Sequence, residues 1–266
     1  MIGENIITLQ VTDGSGLSGN SKINIIIPEI ITNSIGMTFV LIPAGDFIMG
    51  SPENEIGRDE DESQHKVTIS KSFYMQTTEV TQGQWKAVME GNPSLFSNCG
   101  DDCPVEMVSW EDCQLFISKL NAMENHNLYR LPTEAEWEYS ARAGTTTALP
   151  NGDITVTDCN YDSNLDKIGW YCYNSGSKTH PVAQKQANLW GLYDMHGNVW
   201  EWCSDWYDSY PSTVVIDPTG ASTGPSRVIR GGDWNDDALY CRSAYRGYDS
   251  PSPRISSIGT RLVRIP

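Results

Sequence analysis

Residues 191–207 read GLYDMHGNVWEWCSDWY, Gly191 to Tyr207, and the rest of the chain is best read outward from them. Trp200, Trp202 and Trp206 stand beside Asp194, His196, Glu201 and Asp205 within this one segment. Indole rings bury large areas and need a partner for the ring N–H, so the segment belongs to a core. Core segments carry carboxylates only where something compensates them. Two readings follow. In the first, a tryptophan-rich strand turns its acids to solvent. In the second, Asp194 and Glu201 present side-chain oxygens while Gly197 and Val199 turn carbonyls inward. That is an all-oxygen set of the kind a hard cation such as calcium takes. Spacing alone puts the solvent-facing strand ahead.

The chain has 266 residues, enough for one large domain with a full core and an appendage. Its 23 Gly, 14 Pro and 9 Trp indicate a loop-rich fold rather than a helical bundle. A formal net charge of −16 argues against nucleic acid or an anionic membrane as partner, since no basic stripe offsets the repulsion. No apolar run reaches the roughly 18 residues of a membrane span. The opening residues, MIGENIITLQ, lack the basic and apolar regions of a signal peptide, although the sequence is compatible with a piece of a longer exported protein. Seven cysteines leave at least one unpaired within the chain. Cys99 and Cys103 frame a short turn that suits a small disulfide. No nearby histidine or second cysteine pair completes a zinc site.

In residues 1–30, ITLQVTD and SKINIIIP alternate on either side of Asp13-Gly14-Ser15-Gly16, which predicts two paired strands. An isolated hairpin is marginal in water. The expectation is therefore the C-terminal hairpin of an upstream immunoglobulin-like domain, or an N-terminal extension packed on a main domain of residues 31–266. TFVLIPAGDFIMGS predicts a hairpin turning at Pro43–Asp46. Residues 52–66, PENEIGRDEDESQHK, read as an exposed, solvated loop. Three helices have readable starts: Thr81 with Gln84, Ser109 before an apolar face of Cys113, Phe116, Ile117 and Leu120, and Thr133 with Glu136. The acids Glu134, Glu136 and Glu138 suit the first turns of a helix and need no catalytic role. Beyond Gly144, Asn160, Asp162, Asn164 and Asp166 alternate oxygen-bearing side chains and form a candidate second cation site.

GLYDMHGNVWEWCSDWY, together with GMTFVLIPAGDFIMGS (36–51), RLPTEAEWEYSARAG (130–144), RVIRGG and IGTRLVR in that order, resembles the formylglycine-generating-enzyme-like family of sulfatase-modifying domains. The resemblance covers roughly residues 36–266 and implies an irregular, loop-rich α+β fold of the C-type lectin type, with short strands and a few helices. It implies structural calcium at the positions matching Asp194, Gly197, Val199 and Glu201, which moves the balance to the cation reading. A second calcium site is implied near residues 160–166, where this sequence departs from the family pattern. In the authentic enzymes two cysteines following Gly-Gly-Ser bind copper and the substrate thiol. Here the run is RGGDWNDDALYCRSAYR. Asp233 replaces the serine and Asp236 falls at the first cysteine. Cys241 meets the second by count, although an alignment keeping CRSAYR together makes it structural. A carboxylate does not replace a copper thiolate, so neither copper nor oxidase activity is expected. The scattered histidines, His65, His126, His180 and His196, complete no other catalytic motif.

The same tail resembles the variable proteins of diversity-generating retroelements, which share this fold and end in a similar block. Their altered codons are typically asparagine codons changed at adenines, which never yields Lys, Glu, Gln, Met or Trp. Residues 235–260 contain none of those five. The positions that look fixed are Trp234, Ala238, Cys241 to Ala244, Arg246, Pro251, Arg254, Ile258, Gly259 and Arg261. In a variable region of about 233–263, the candidate ligand-binding residues are Asp233, Asn235, Asp236, Asp237, Leu239, Tyr240, Tyr245, Gly247, Tyr248, Asp249, Ser250, Ser252, Ile255, Ser256 and Ser257. A plain loop that happens to lack long charged residues would look the same. The Tyr/Ser/Asp/Gly mixture is that of an antibody paratope. The reading is a non-catalytic receptor or display protein, on a virion or cell surface, that binds a protein target or surface ligand. The alternative is a sulfatase-modifying-family oxidase acting on a cysteine thiol of a protein.

Overall fold

The computed structural model describes residues 4–12, 18–26 and 29–266. β1 (Glu4–Thr12) and β2 (Ser18–Ile26) pair antiparallel from Glu4 opposite Ile26 to Thr12 opposite Ser18, the hairpin that the alternation predicts. The Asp13–Gly16 turn lies outside the described residues.

Apolar alternation in TFVLI makes β4 (Thr38–Ile42) a strand with Phe39, Val40 and Ile42 buried. It pairs with β3 (Ile30–Thr32) on one side and β7 (Phe73–Gln76) on the other. The expected hairpin at Pro43 does not form. β5 (Gly45–Met49) instead leaves for a second sheet, pairing with β6 (His65–Ile69). Proline has no N–H to give a neighbouring strand, and the 43–44 corner lets one apolar stretch serve two sheets.

α1 (Gln82–Met89), α2 (Trp110–Met123) and α3 (Glu134–Arg142) start at Thr81, Ser109 and Thr133, each with a complete capping box. α2 buries Cys113, Phe116, Ile117 and Leu120, and Phe116 stacks on Trp85 at 4.8 Å. α4 (Leu165–Ile168) is a single turn. No helix among the described residues is long and apolar enough to cross a membrane.

The tryptophan-rich segment becomes β9 (Trp200–Trp206), an inner strand of a four-stranded sheet. Its antiparallel neighbour is β11 (Arg227–Arg230), with a register shift between Arg227 and Ile229. β12 (Gly247–Asp249) covers the far side of β11, and β13 (Ile258–Gly259) runs parallel to β9. β10 (Val215–Ile216) completes the β5–β6 sheet. The last strand, β14 (Val263–Arg264), enters the five-stranded sheet between β7 and β8 (Tyr129–Arg130), with Val263 opposite both Met75 and Arg130.

Cys99–Cys103 and Cys159–Cys172 are disulfides, and Cys113, Cys203 and Cys241 are free and buried. The second bridge has no signal in the spacing.

Candidate functional site

β11 ends at Gly231 (φ 105°) and Gly232 (φ 74°), conformations that glycine adopts without penalty. A Cβ at Gly232 would lie 2.8 Å from the Cys241 sulfur, so the chain turns here only with glycine. From this turn the chain makes an excursion over residues 233–257, which contributes the edge strand β12, and returns to the sheet as β13. The excursion holds a short 3-10 turn, Ala238–Cys241, and then β12.

The fixed-looking positions and the candidate ligand-binding positions of this excursion differ in burial. Of the positions expected to be fixed, Ala238, Cys241, Arg242, Ser243, Ala244, Arg246, Ile258, Gly259 and Arg261 are buried. Trp234 and Pro251 are half-buried. Arg254 is exposed but held by both oxygens of Asp112, at 2.6 and 2.8 Å. Among the candidate ligand-binding positions, Asn235, Tyr248, Ser250 and Ser252 are exposed. Asp236, Asp237, Leu239, Tyr240, Tyr245, Gly247, Asp249, Ile255, Ser256 and Ser257 are half-buried. Asp233 alone is buried, at 5% exposure, and its carboxylate receives the Asn235 N–H at 2.6 Å. Gly247 has no room for a side chain, since a Cβ would meet Ile229 at 2.7 Å. The Ile255 and Ser257 carbonyls accept from the N–H groups of Met107 and Trp200, so their backbones belong to the scaffold.

Buried arginines pin the excursion down. Arg242, fully buried, donates to both oxygens of Glu62 at 2.6 and 2.8 Å and to Glu55 at 2.7 Å. Burial opposes its charge, but Glu62 and Glu55 outweigh burial and hold its pKa above the usual arginine value. Arg246 forks onto Glu134 at 2.7 and 2.9 Å, and Arg230 meets Glu138 beneath them. The expectation of a solvated loop at 52–66 is therefore corrected. Glu62 is fully buried and Glu55 half-buried, because buried guanidinium groups need carboxylate partners. Glu134, in the first turn of α3, and Glu138, in its middle, likewise serve as counter-charges. CRSAYR carried the missed signal: two arginines in an apolar tract require two acidic partners somewhere in the chain.

Above these anchors the surface is aromatic and acidic. Tyr240 and Tyr245 meet edge to face at 4.9 Å, and Tyr248 lies on Tyr207 at 4.3 Å. Burial, and next the neighbouring Asp233, push the Asp236 carboxyl up to about 7. Asp233 is itself raised by burial. The Cys159–Cys172 bridge sits beside Asp237, and the Cys172 N–H donates to the Asp236 carbonyl at 3.0 Å. Those two sulfurs and an Asp237 oxygen lie within 4.8 Å of one another, but sulfurs joined as a disulfide are not thiolate ligands. Cys241 lies under Gly232, and burial followed by the charge of Asp236 pushes its thiol well up. A protonated, enclosed thiol beside a carboxylate is a poor soft-metal or redox pair. His196 is buried, with Nδ1 2.7 Å from the Cys241 carbonyl oxygen, and acts as a strut.

On the inner side of β9, Asp205 accepts from the Glu134 N–H at 3.0 Å and from Ser204 Oγ at 2.9 Å. Burial, and then the Glu134 charge, raise its carboxyl from 3.8 to about 7. A raised carboxyl contributes stability that is present below its unfolded pKa and lost as pH climbs through the folded one. Asp205→Asn keeps an acceptor and does not titrate. It is expected to flatten the decline in stability between about pH 4 and 7 and to gain on the wild type at pH 8, read from urea midpoints across pH.

The candidate cation residues lie on one tight turn, with Asp194 (φ 56°), Gly197 (φ 97°) and Asn198 (φ 67°) all left-handed. Asp194 Oδ2 accepts from the Ala183 N–H at 2.7 Å, while Oδ1 is buried without a partner. The Gly197 and Val199 carbonyls accept no hydrogen bond from the described residues. Glu201 differs. Arg261 donates to its Oε1 at 2.7 and 3.0 Å and to Oε2 at 3.0 Å, and the Trp137 indole donates to Oε2 at 2.7 Å. Three of the four expected donors thus present unclaimed oxygens and fit a hard cation, while the fourth is engaged by a guanidinium. At residues 160–166 the side chains do not converge. The Asp162 carboxylate accepts from Thr155 and from the Asn164 and Leu165 N–H groups where α4 begins, and Asn164 turns to the Asp153 carbonyl.

Residues 32–266 match the sulfatase-modifying factor enzyme 1-like domain. The chaperone protein LppX of Paenibacillus barcinonensis is 32% identical over 251 residues, 76% of this chain and 83% of that protein. The formylglycine-generating enzyme of Mus musculus is 28% identical over 276 residues, 84% of this chain and 74% of the enzyme. Among solved structures, Treponema denticola variable protein 1 superposes with a TM-score of 0.79 at 32% identity, covering 90% of this chain and 99% of its own. PvdO of Pseudomonas aeruginosa gives 0.76 at 28% identity, covering 90% and 98%. The chain therefore belongs to the sulfatase-modifying factor enzyme 1-like family, the formylglycine-generating-enzyme-like group, and has its α+β, C-type lectin-like fold.

Proposed function

We propose that this protein is a non-catalytic receptor whose 233–263 surface is diversified by a retroelement and binds a protein target, displayed on a virion or cell surface. One observation supports this above the others: most of the positions that look fixed are buried or clamped, and most of the candidate ligand-binding positions, Asp233 and Gly247 aside, are exposed or half-buried. The likeness to a protein named as variable points the same way. Asp236, in place of the first cysteine, and the enclosed Cys241 support the loss of the family's oxidation chemistry.

Sequencing the DNA downstream of the gene tests the reading. A near-copy of the segment encoding residues 233–263, differing only at adenines and lying beside a reverse transcriptase, is expected; its absence would return the tail to an ordinary loop. At the protein level, Tyr248→Ser is expected to change folding stability by no more than about 0.5 kcal/mol, as surface changes do. Once a partner is in hand, Tyr245→Ser and Tyr248→Ser are each expected to weaken binding by about 2 kcal/mol or more, roughly 30-fold, as for buried aromatic anchors. Unchanged affinity in both would refute the assignment of the surface.

A further inference from the structure

A cavity of about 450 Å³ opens between the start of α3, β10 and the connection that follows β9. Small-molecule sites run from roughly 300 to 1,000 Å³. Met49, Ala135, Val215 and Ile216 give the cavity an apolar wall, with Ile216 open to solvent. Of residues 233–263, Arg246 alone lines it, and Arg246 is one of the fixed-looking positions. The cavity is therefore separate from the candidate ligand-binding surface.

Asp205 reaches into this space. It is 4% exposed, and its Oδ2 is taken by the Glu134 N–H and Ser204 Oγ. No described residue donates to Oδ1, which lies 3.1 Å from where a Cβ on Gly220, another lining residue, would stand. A buried carboxylate oxygen without a partner is costly, and the cavity is where a donor can reach it. Arg246 does not supply one, because its guanidinium is engaged by Glu134 and the Asp208 carbonyl. Arg227 feels the Asp205 charge but lies over the Trp110 and Trp206 rings, and no ion pair joins the two. His65, also on the wall, points Nδ1 at the Ser63 carbonyl, 3.1 Å away. A carbonyl only accepts, so Nδ1 carries a proton there and Nε2 of the neutral ring is a further acceptor.

The local charge balance has the same sign. Arg246 matches Glu134, while Asp205 and Asp208 have no cation of their own. Burial raises the Asp205 carboxyl to about 7, so an arriving cation finds it partly ionised at neutral pH and completes the ionisation. A larger groove of about 640 Å³ beside Phe73 and Ile265 has no such group: Arg130 takes Glu136 there, and Ser70 takes Asp217.

We propose that the cavity beside Asp205 binds a small organic cation, a protonated primary amine on a compact apolar body. The ammonium donates to Asp205 Oδ1, and the body lies against Met49, Ala135, Val215 and Ile216. This site does not depend on the reading of residues 233–263 as variable.

Butylamine, cyclohexylmethylamine and 2-phenylethylamine, each beside the alcohol of the same carbon skeleton, are titrated into the full chain carrying 13C-labelled methyl groups. At least one amine is expected to bind saturably and to shift the methyl resonances of Met49, Ala135, Val215 and Ile216. Its matching alcohol is expected to bind at least roughly tenfold more weakly, since a hydrogen bond to a charged group is lost. Asp205→Asn is expected to weaken the amine by a similar factor and to leave the alcohol within about twofold. Tyr248→Ser, on the 233–263 surface, is expected to change neither. If Asp205→Asn does not fold, the wild-type methyl shifts and the amine-to-alcohol ratio decide alone. No saturable amine binding, equal binding of amine and alcohol, shifts confined to methyls outside the cavity, or undiminished affinity in Asp205→Asn would each overturn the proposal. Loss of amine binding in Tyr248→Ser would overturn it too, by placing the amine on the 233–263 surface.

Discussion

Arg242→Met is expected to destabilise the fold by about 3–5 kcal/mol, the cost of breaking a buried ion pair from one side. The guanidinium is fully buried and makes contacts that methionine cannot replace: both Glu62 oxygens, one Glu55 oxygen and the Gly57 carbonyl. Removing it leaves Glu62 buried without its cation, with neutral hydrogen-bond partners such as the Ser51 hydroxyl at 2.6 Å in its place. Against a typical domain stability of about 5–15 kcal/mol, this one change takes a large share of the total. Arg242→Lys is expected to fall between, because a single ammonium cannot span two carboxylates with a fixed fork. Adding Glu62→Gln to Arg242→Met is expected to recover part of the loss, since the uncompensated charge goes with it. Urea unfolding of the three variants measures the order. Equal stability of Arg242→Met and wild type would mean that the 52–62 loop is not held in this way.

Trp202→Ala is expected to cost a similar amount, about 3–5 kcal/mol, by a different route. Trp202 has no exposed surface, and its indole N–H reaches the Val108 carbonyl at 3.0 Å. Alanine removes the packing of an inner strand and leaves a cavity. Trp202→Phe separates the two contributions: most of the apolar contact stays, and an unpartnered carbonyl should cost about 1–3 kcal/mol. Loss of near-ultraviolet circular dichroism along with stability in Trp202→Ala, but not in Trp202→Phe, is the expected pattern. A tolerant Trp202→Ala would place the centre of the core elsewhere.

Local rules carried much of the fold. The capping boxes at Thr81, Ser109 and Thr133 were legible because a cap is decided by residues three positions apart. The core role of Trp200–Trp206 was legible because large indoles have nowhere else to go. Pairings between distant segments were not. Nothing local in PENEIGRDEDESQHK distinguishes Glu62, which is buried against Arg242 some 180 positions away, from Glu60, which is exposed. The corner at Pro43 was misread for the same reason: a turn propensity says that the chain bends, not which strand it joins afterwards. At the site, the fixed-looking positions were read from the resemblance of CRSAYR and its flanks to a known block, and most of them are buried. The bridge between Cys159 and Cys172 and the counter-charges Glu55 and Glu134 depend on three-dimensional placement and left no mark at short range.

The position of β14 has a consequence for errors of a kind other than substitution. This strand follows the 233–257 excursion in the chain, yet its Val263 pairs on both sides inside the five-stranded sheet. A misread base at an exposed position of the excursion, such as Asn235, Tyr248, Ser250 or Ser252, changes a surface side chain. A lost or gained base, or a premature stop, deletes or scrambles the strand that holds β7 and β8 together. The sheet therefore acts as a reading-frame check on everything encoded before it: a changed letter at an exposed position is compatible with folded protein, and a miscounted one is not.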